Sequence, residues 1–174
     1  TIGLNGIYSI DTCGKNSKFI INNARQPTTV ADTNYIAFVK EGQIYMSKLD
    51  SNQNIEKINR SSHSSFPSIS PSFRWIAYDI SVNTNSDTAG IYRISKNGKD
   101  KSRIIGGGMP DWYSSEVIYF VRGVSSKTEG THTEIFKCNF EGNNITRMTN
   151  NGYDSGMEGY SNLCNNEYPA CSPN

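Results

Sequence analysis

The 174-residue sequence has almost no leucine, two histidines, no surplus of either charge and no long apolar run. With 17 Lys and Arg against 16 Asp and Glu, it lacks the basic face that holds a polyanion, so nucleic acid is not an expected partner. No stretch approaches the roughly 20 apolar residues that a membrane-crossing helix needs. Leucine occurs three times against 19 isoleucines, whereas helical proteins draw on Leu, Ala and Glu. Neither a Cys-x-x-Cys pair nor a Gly-x-Ser-x-Gly elbow is present. A catalytic site needs a nucleophile with its base, paired carboxylates or a metal. None has a visible nucleus here, so the expectation is a non-enzyme without cofactor.

What is abundant points to sheet. β-Branched and aromatic side chains fit a pleated surface, and 20 Asn, 22 Ser and 15 Gly supply turns. Mean hydropathy is −0.57, yet 11% of residues are aromatic and net charge is near zero. Disordered chains combine low hydrophobicity with high net charge, so this chain folds, and the expected class is all-β.

Internal repeats refine that class. Ile7-Tyr8, Ile44-Tyr45, Ile91-Tyr92 and Ile135-Phe136 recur at spacings of 37, 47 and 44 residues. Ahead of the last three stand Tyr35-Ile36-Ala37-Phe38, Trp75-Ile76-Ala77-Tyr78 and Val117-Ile118-Tyr119-Phe120. Earlier still, Pro27, Pro67 and Pro110 open another string, and Ile55–Ile58, Lys101–Ile104 and Ile145–Met148 close each unit after a polar turn. Each unit therefore holds four short strands, A to D. A sandwich also uses short alternating strands, but reuse of one string in register is the mark of β-propeller blades.

The run Phe66-Pro67-Ser68-Ile69-Ser70-Pro71-Ser72-Phe73-Arg74-Trp75-Ile76-Ala77-Tyr78, followed by Gly90-Ile91-Tyr92 and Asn97-Gly98, resembles the TolB-type repeat. In that family a Pro-x-Trp-Ser-Pro-Asp-Gly-Lys string leads into Ile-Ala-Phe and then Ile-Tyr. The usual Asp-Gly is replaced here by Ser72-Phe73, and the Trp of the A string occurs once, as Trp112. The resemblance covers nearly the whole chain and implies a propeller. Such repeats occur in periplasmic translocation proteins and in the non-catalytic propellers of serine peptidases, and no catalytic residue carries over.

Strand counting gives a partial blade at 1–26, blades at 27–65, 66–108 and 109–160, and the start of another at 161–174, where Tyr168-Pro169-Ala170 repeats the A string. Either the chain is a segment of a longer one, or its terminal half-blades are completed by neighbouring copies, since an uncovered sheet edge recruits a strand and non-closing contacts build filaments.

Cys164 and Cys171 flank a long loop and are disulfide candidates, which leaves Cys13 with Cys138 as the residual pair, although Cys138 also reads as a small core residue. Asn59-Arg60-Ser61 and Asn144-Ile145-Thr146 are N-glycosylation sequons. Together these favour an extracellular or periplasmic location. His63 and His132 read as exposed loop residues, and Gly106-Gly107-Gly108 as a turn rather than a phosphate loop. Trp75, Trp112 and Tyr113 read as core rather than a sugar platform. Asp79, Asp87 and Asp111 lack calcium-loop spacing. Three functions follow: a structural or adaptor scaffold that contacts protein partners or its own copies, which is the first choice; a propeller that binds a sugar or peptide; and the gating propeller of a larger peptidase.

Overall fold

The structure, a computed structural model, describes residues 6–49, 54–82, 87–126 and 130–150. Within them every regular element is a strand, as the β-branched composition dictates. The first sheet is a hairpin of β1 (Gly6–Ser9) and β2 (Lys18–Asn22). The second holds β3 (Arg25–Thr29), β4 (Tyr35–Lys40), β5 (Gln43–Lys48) and β6 (Glu56–Lys57). The third holds β7 (Ser64–Ile69), β8 (Trp75–Ile80), β9 (Gly90–Ser95) and β10 (Lys101–Ile105), and the fourth β11 (Gly108–Trp112), β12 (Val117–Ser126), β13 (Gly130–Asn139) and β14 (Thr146–Arg147). Strands follow one another in sequence across each sheet, all antiparallel.

The period-2 alternation of the repeated strings gives each sheet two apolar faces. In β4, Ile36 and Phe38 pack toward the first sheet with Ile7, Ile20 and Ala24, while Ala37 and Val39 pack toward the third with Ile76, Tyr78 and Ile94. In β8, Ala77 turns the other way and joins Trp112, Ile118, Phe120 and Cys138 of the fourth sheet. Three cores therefore lie between four successive sheets, and equivalent side chains occupy equivalent places. Burying such residues contributes roughly 1.5–3 kcal/mol per large side chain.

A directly opposed aromatic pair joins the second and third strands of each complete sheet. Phe38 faces Tyr45, Tyr78 faces Tyr92 and Phe120 faces Phe136, with ring centroids 6.0, 6.0 and 5.8 Å apart and near-parallel planes. Such cross-strand pairs reinforce a sheet beyond their area.

Each first strand begins two or three residues ahead of its proline and carries a bulge there. The residue just before the proline is left-handed in all three: Gln26 (φ 52°), Phe66 (φ 50°) and Met109 (φ 51°). This conformation is uncommon for residues other than glycine, and it takes the amide N–H out of the ladder. Two of the three freed amides are captured by a neighbouring sheet: Phe66 N donates to Gln26 Oε1 at 3.1 Å, and Met109 N to Asp79 Oδ2 at 2.9 Å.

Candidate functional site

The first strands lie side by side, β7 packing against both β3 and β11. Beyond their ends, the turns into the second strands gather into one cleft of about 740 Å³, lined by Thr28, Asp32, Pro71, Asp111, Tyr113 and Ser115 among others. Its floor is fixed. Trp112 is buried, its N–H and indole Nε1 donate to Ser68 Oγ and O at 3.2 and 3.1 Å, and Ser68 Oγ donates to Asp111 Oδ1 at 2.8 Å. Its rim is accessible. Tyr113 is 46% exposed and rests edge-on against Tyr119, centroids 5.7 Å apart, so it is an accessible aromatic on a braced side chain. Of the three residues read as core aromatics, Trp112 is buried, Trp75 is half-buried under the Arg93 guanidinium at 5.1 Å, and Tyr113 departs from that reading.

A second cluster of polar groups was not visible in the sequence. His132 is buried, not an exposed loop residue, because the fourth sheet's hairpin runs ten residues along each strand and carries Thr131-His132-Thr133 into β13. Glu134, two residues on, is also fully buried. It meets His132 Nε2 at 3.0 Å and accepts from Arg147 Nη2 at 2.8 Å and from the Thr149 hydroxyl. The partners lie 13 and 15 residues downstream of Glu134, tying the chain after β14 to β13. His63 is exposed, as its polar surroundings imply.

The aspartates stand apart. Asp79 is buried between the third and fourth sheets, and burial pushes its carboxyl up to about 6, against the lowering effect of the Met109 amide. Asp87 pairs with Lys101 Nζ at 2.6 Å and accepts from Ser61 Oγ at 2.5 Å; Asp111 serves Ser68. Among the described residues no group of three acidic, His or Cys side chains is placed to hold a metal ion. The triple glycine is packing space: a Cβ at Gly108 would come within 2.9 Å of Asp79 Oδ2, and one at Gly107, where φ is 145°, within 2.7 Å of Val121 O.

Cys13 and Cys138 are free, the first exposed in the turn of the first sheet and the second buried in the fourth, so the residual Cys13–Cys138 pairing is not made. Burial pushes the Cys138 thiol up to about 11, with Arg122 acting against it, which keeps it an inert core group. Cys164 and Cys171 lie outside the described residues. The two sequons differ. Asn144 is exposed in a left-handed turn. Asn59 is 3% exposed, its Oδ1 accepting from Ile44 N at 2.7 Å and its Nδ2 donating to Ser64 Oγ at 2.8 Å. In the folded chain the Asn59 nitrogen that would carry a glycan is enclosed and engaged.

Stacked four-stranded sheets with their first strands side by side and a cleft beyond those strands' ends have the fold of β-propeller blades, the fold of TolB structures. Among solved structures, the chain is similar to TolB of Agrobacterium tumefaciens (TM-score 0.69, 17% identity, 84% of this chain and 57% of that one). It is also similar to TolB of Acinetobacter baumannii (TM-score 0.67, 21% identity, 83% and 37%) and to the acylaminoacyl peptidase of Pyrococcus horikoshii (TM-score 0.53, 16% identity, 72% and 24%). The chain spans little more than half of the first and about a third of the second. No protein-family model and no curated protein matches the sequence.

Proposed function

We propose that the chain is a non-catalytic interaction scaffold that works outside the cytoplasm and holds protein partners, copies of itself included, at the inner-strand mouth and along its sheet edges. One observation carries this reading. The accessible, braced aromatic of the cleft is Tyr113, whereas Asp79, Glu134 and His132 are buried between strands and hydrogen-bond to neighbouring groups of the fold. A rigid aromatic at the rim of a concave polar cleft suits recognition rather than bond cleavage. The likeness to TolB structures supports a propeller used for contact. A second reading, the propeller of a larger peptidase, is supported by the likeness to the acylaminoacyl peptidase. The exposed Asn144 sequon is compatible with a secreted chain that carries a glycan there.

Peptide and glycan arrays probed side by side with the wild-type chain and with Tyr113→Ala test the scaffold reading. Peptide binding that the substitution weakens about tenfold is expected, on the scale of an aromatic interface anchor. Binding to glycans alone, or peptide binding that ignores Tyr113, overturns it.

A further inference from the structure

We propose that the seam between the second and third sheets binds a phosphate monoester, its dianionic phosphoryl group held by Lys57, Arg60 and Lys101. The seam shares none of its described lining residues with the inner-strand cleft, so the inference stands apart from the scaffold reading. Both sheets are complete within residues 25–105, and the site is built without either end of the chain.

The seam opens as a groove of about 500 Å³, lined by Lys57, Asn59, Arg60, Ser61, Asp87 and Lys101 among others. Local hydrogen bonds fix the wall that follows β6. Ile44 O accepts the amides of Ile58 and Asn59 at 2.9 and 3.4 Å, Asn59 Oδ1 accepts the Ile44 amide at 2.7 Å, and Ser64 Oγ donates to Ser61 O at 3.0 Å. Across from it, the turn between β9 and β10 comes so close that a Cβ on Gly98 would meet Ile58 O at 2.6 Å.

Among the described residues the groove holds three cations and one carboxylate. Asp87 accepts from Lys101 Nζ at 2.6 Å and from Ser61 Oγ at 2.5 Å, and Lys101 Nζ also donates to Ser61 Oγ at 2.7 Å. An ammonium has three donors, so Lys101 keeps one for a ligand. Lys57 and Arg60 are exposed and form no ion pair among the described residues. Lys57 Nζ is steadied 5.5 Å above the Tyr45 ring, as Lys101 Nζ is 4.9 Å above that of Tyr92. The surplus of positive charge matches a phosphate monoester, which carries about −1.5 to −2 near neutral pH. Arg60 brings the planar fork of donors and the lysines the point charges that phosphate oxygens accept.

Tyr78 points to the same place independently. Its side chain is fully buried, and its hydroxyl lies beside Asn59 and Asp87 of the groove without a hydrogen-bond partner among the described residues. A buried donor left over calls for a polar occupant close by.

The test titrates the 174-residue chain with phenyl phosphate and, separately, with inorganic phosphate at constant ionic strength, followed by amide NMR. Saturable shifts at Arg60, Ser61 and Lys101 are expected for both, with dissociation constants on the order of 1 mM or below. Dimethyl phosphate and acetate, each with a single charge, should bind about tenfold more weakly. Arg60→Gln and Lys57→Gln should each weaken phenyl phosphate binding about tenfold with little change in thermal midpoint. Lys18→Gln, an exposed lysine of the first sheet, should leave binding as it is. Shifts that do not saturate, shifts centred elsewhere on the chain, equal binding of acetate, or indifference to both Arg60→Gln and Lys57→Gln overturns the proposal. Binding of phenyl phosphate alone would place the contact on its ring, and binding of inorganic phosphate alone would exclude an ester; either result overturns it as well.

Discussion

Asp79 Oδ2 accepts the backbone N–H of Met109 at 2.9 Å across the junction of the third and fourth sheets. The other carboxylate oxygen, Oδ1, is buried with no hydrogen-bond partner among the described residues. One amide offsets only part of the cost of burying the charge, which is why the group titrates near 6 instead of 3.8.

The native state therefore holds a proton on Asp79 between pH 4 and 6 that the unfolded state has released. The stabilisation is complete below the unfolded value and is lost as pH rises through the folded one, a change of about 3 kcal/mol for a shift of this size. Asp79→Asn keeps an acceptor for Met109 without the charge. Urea unfolding from pH 4 to 8 should show the wild type losing stability relative to Asp79→Asn as pH rises, with the two closest near pH 4. Parallel curves would refute this.

Phe73 occupies the place where the TolB-type string has glycine, and its φ is +54°. The ring repays the strained backbone by packing on Tyr35, centroids 4.9 Å apart, with Lys96 Nζ 4.4 Å above it. Phe73→Ala should lose the packing and keep the strain, costing about 1–2 kcal/mol for this half-buried ring. Phe73→Gly loses the same packing and relieves the strain, so it should be the more stable of the two by up to about 1 kcal/mol. Denaturation midpoints compare them, and an alanine variant at or above the glycine variant would count against the argument.

Asn59 and Asn144 separate by burial. Replacing Asn59 with Ala leaves the Ile44 N–H without its acceptor in the core, a loss of about 1–3 kcal/mol. Asn144→Gln should cost under about 1 kcal/mol, since it disturbs only an exposed turn. Expressed in a eukaryotic secretory host, the folded protein is expected to carry a glycan at Asn144 and none at Asn59, read by mass before and after glycosidase treatment. A glycan at Asn59 on folded material would contradict the enclosed side chain.

The blades were legible because the same side chains meet the same neighbours in every sheet. Ile36, Ile76 and Ile118 are all buried against the preceding sheet, and selection on that environment leaves a repeated string. The cleft was less legible, since Tyr113 follows a buried tryptophan and only the turn geometry brings it out. His132 escaped because a His between two threonines looks like a turn, while Arg147 and Thr149, the residues that hold its partner Glu134, belong to a distant stretch. The left-handed residues before the prolines are Gln, Phe and Met, with no common side chain; the prolines alone marked the place. Asn59 matched a sequon in an Asn-rich chain, but its amide caps Ile44.

The bulged first strands make the stack directional. Gln26 receives the amide of Phe66, and Asp79 that of Met109, so the third and the fourth sheet each seat on an acceptor offered by the sheet before. Coupling of this kind reaches only the adjacent neighbour, as in linear repeat arrays. Damage at one junction should loosen a single seam and leave the others closed, and an additional sheet would need no more than one suitably placed oxygen on the last to be guided into register.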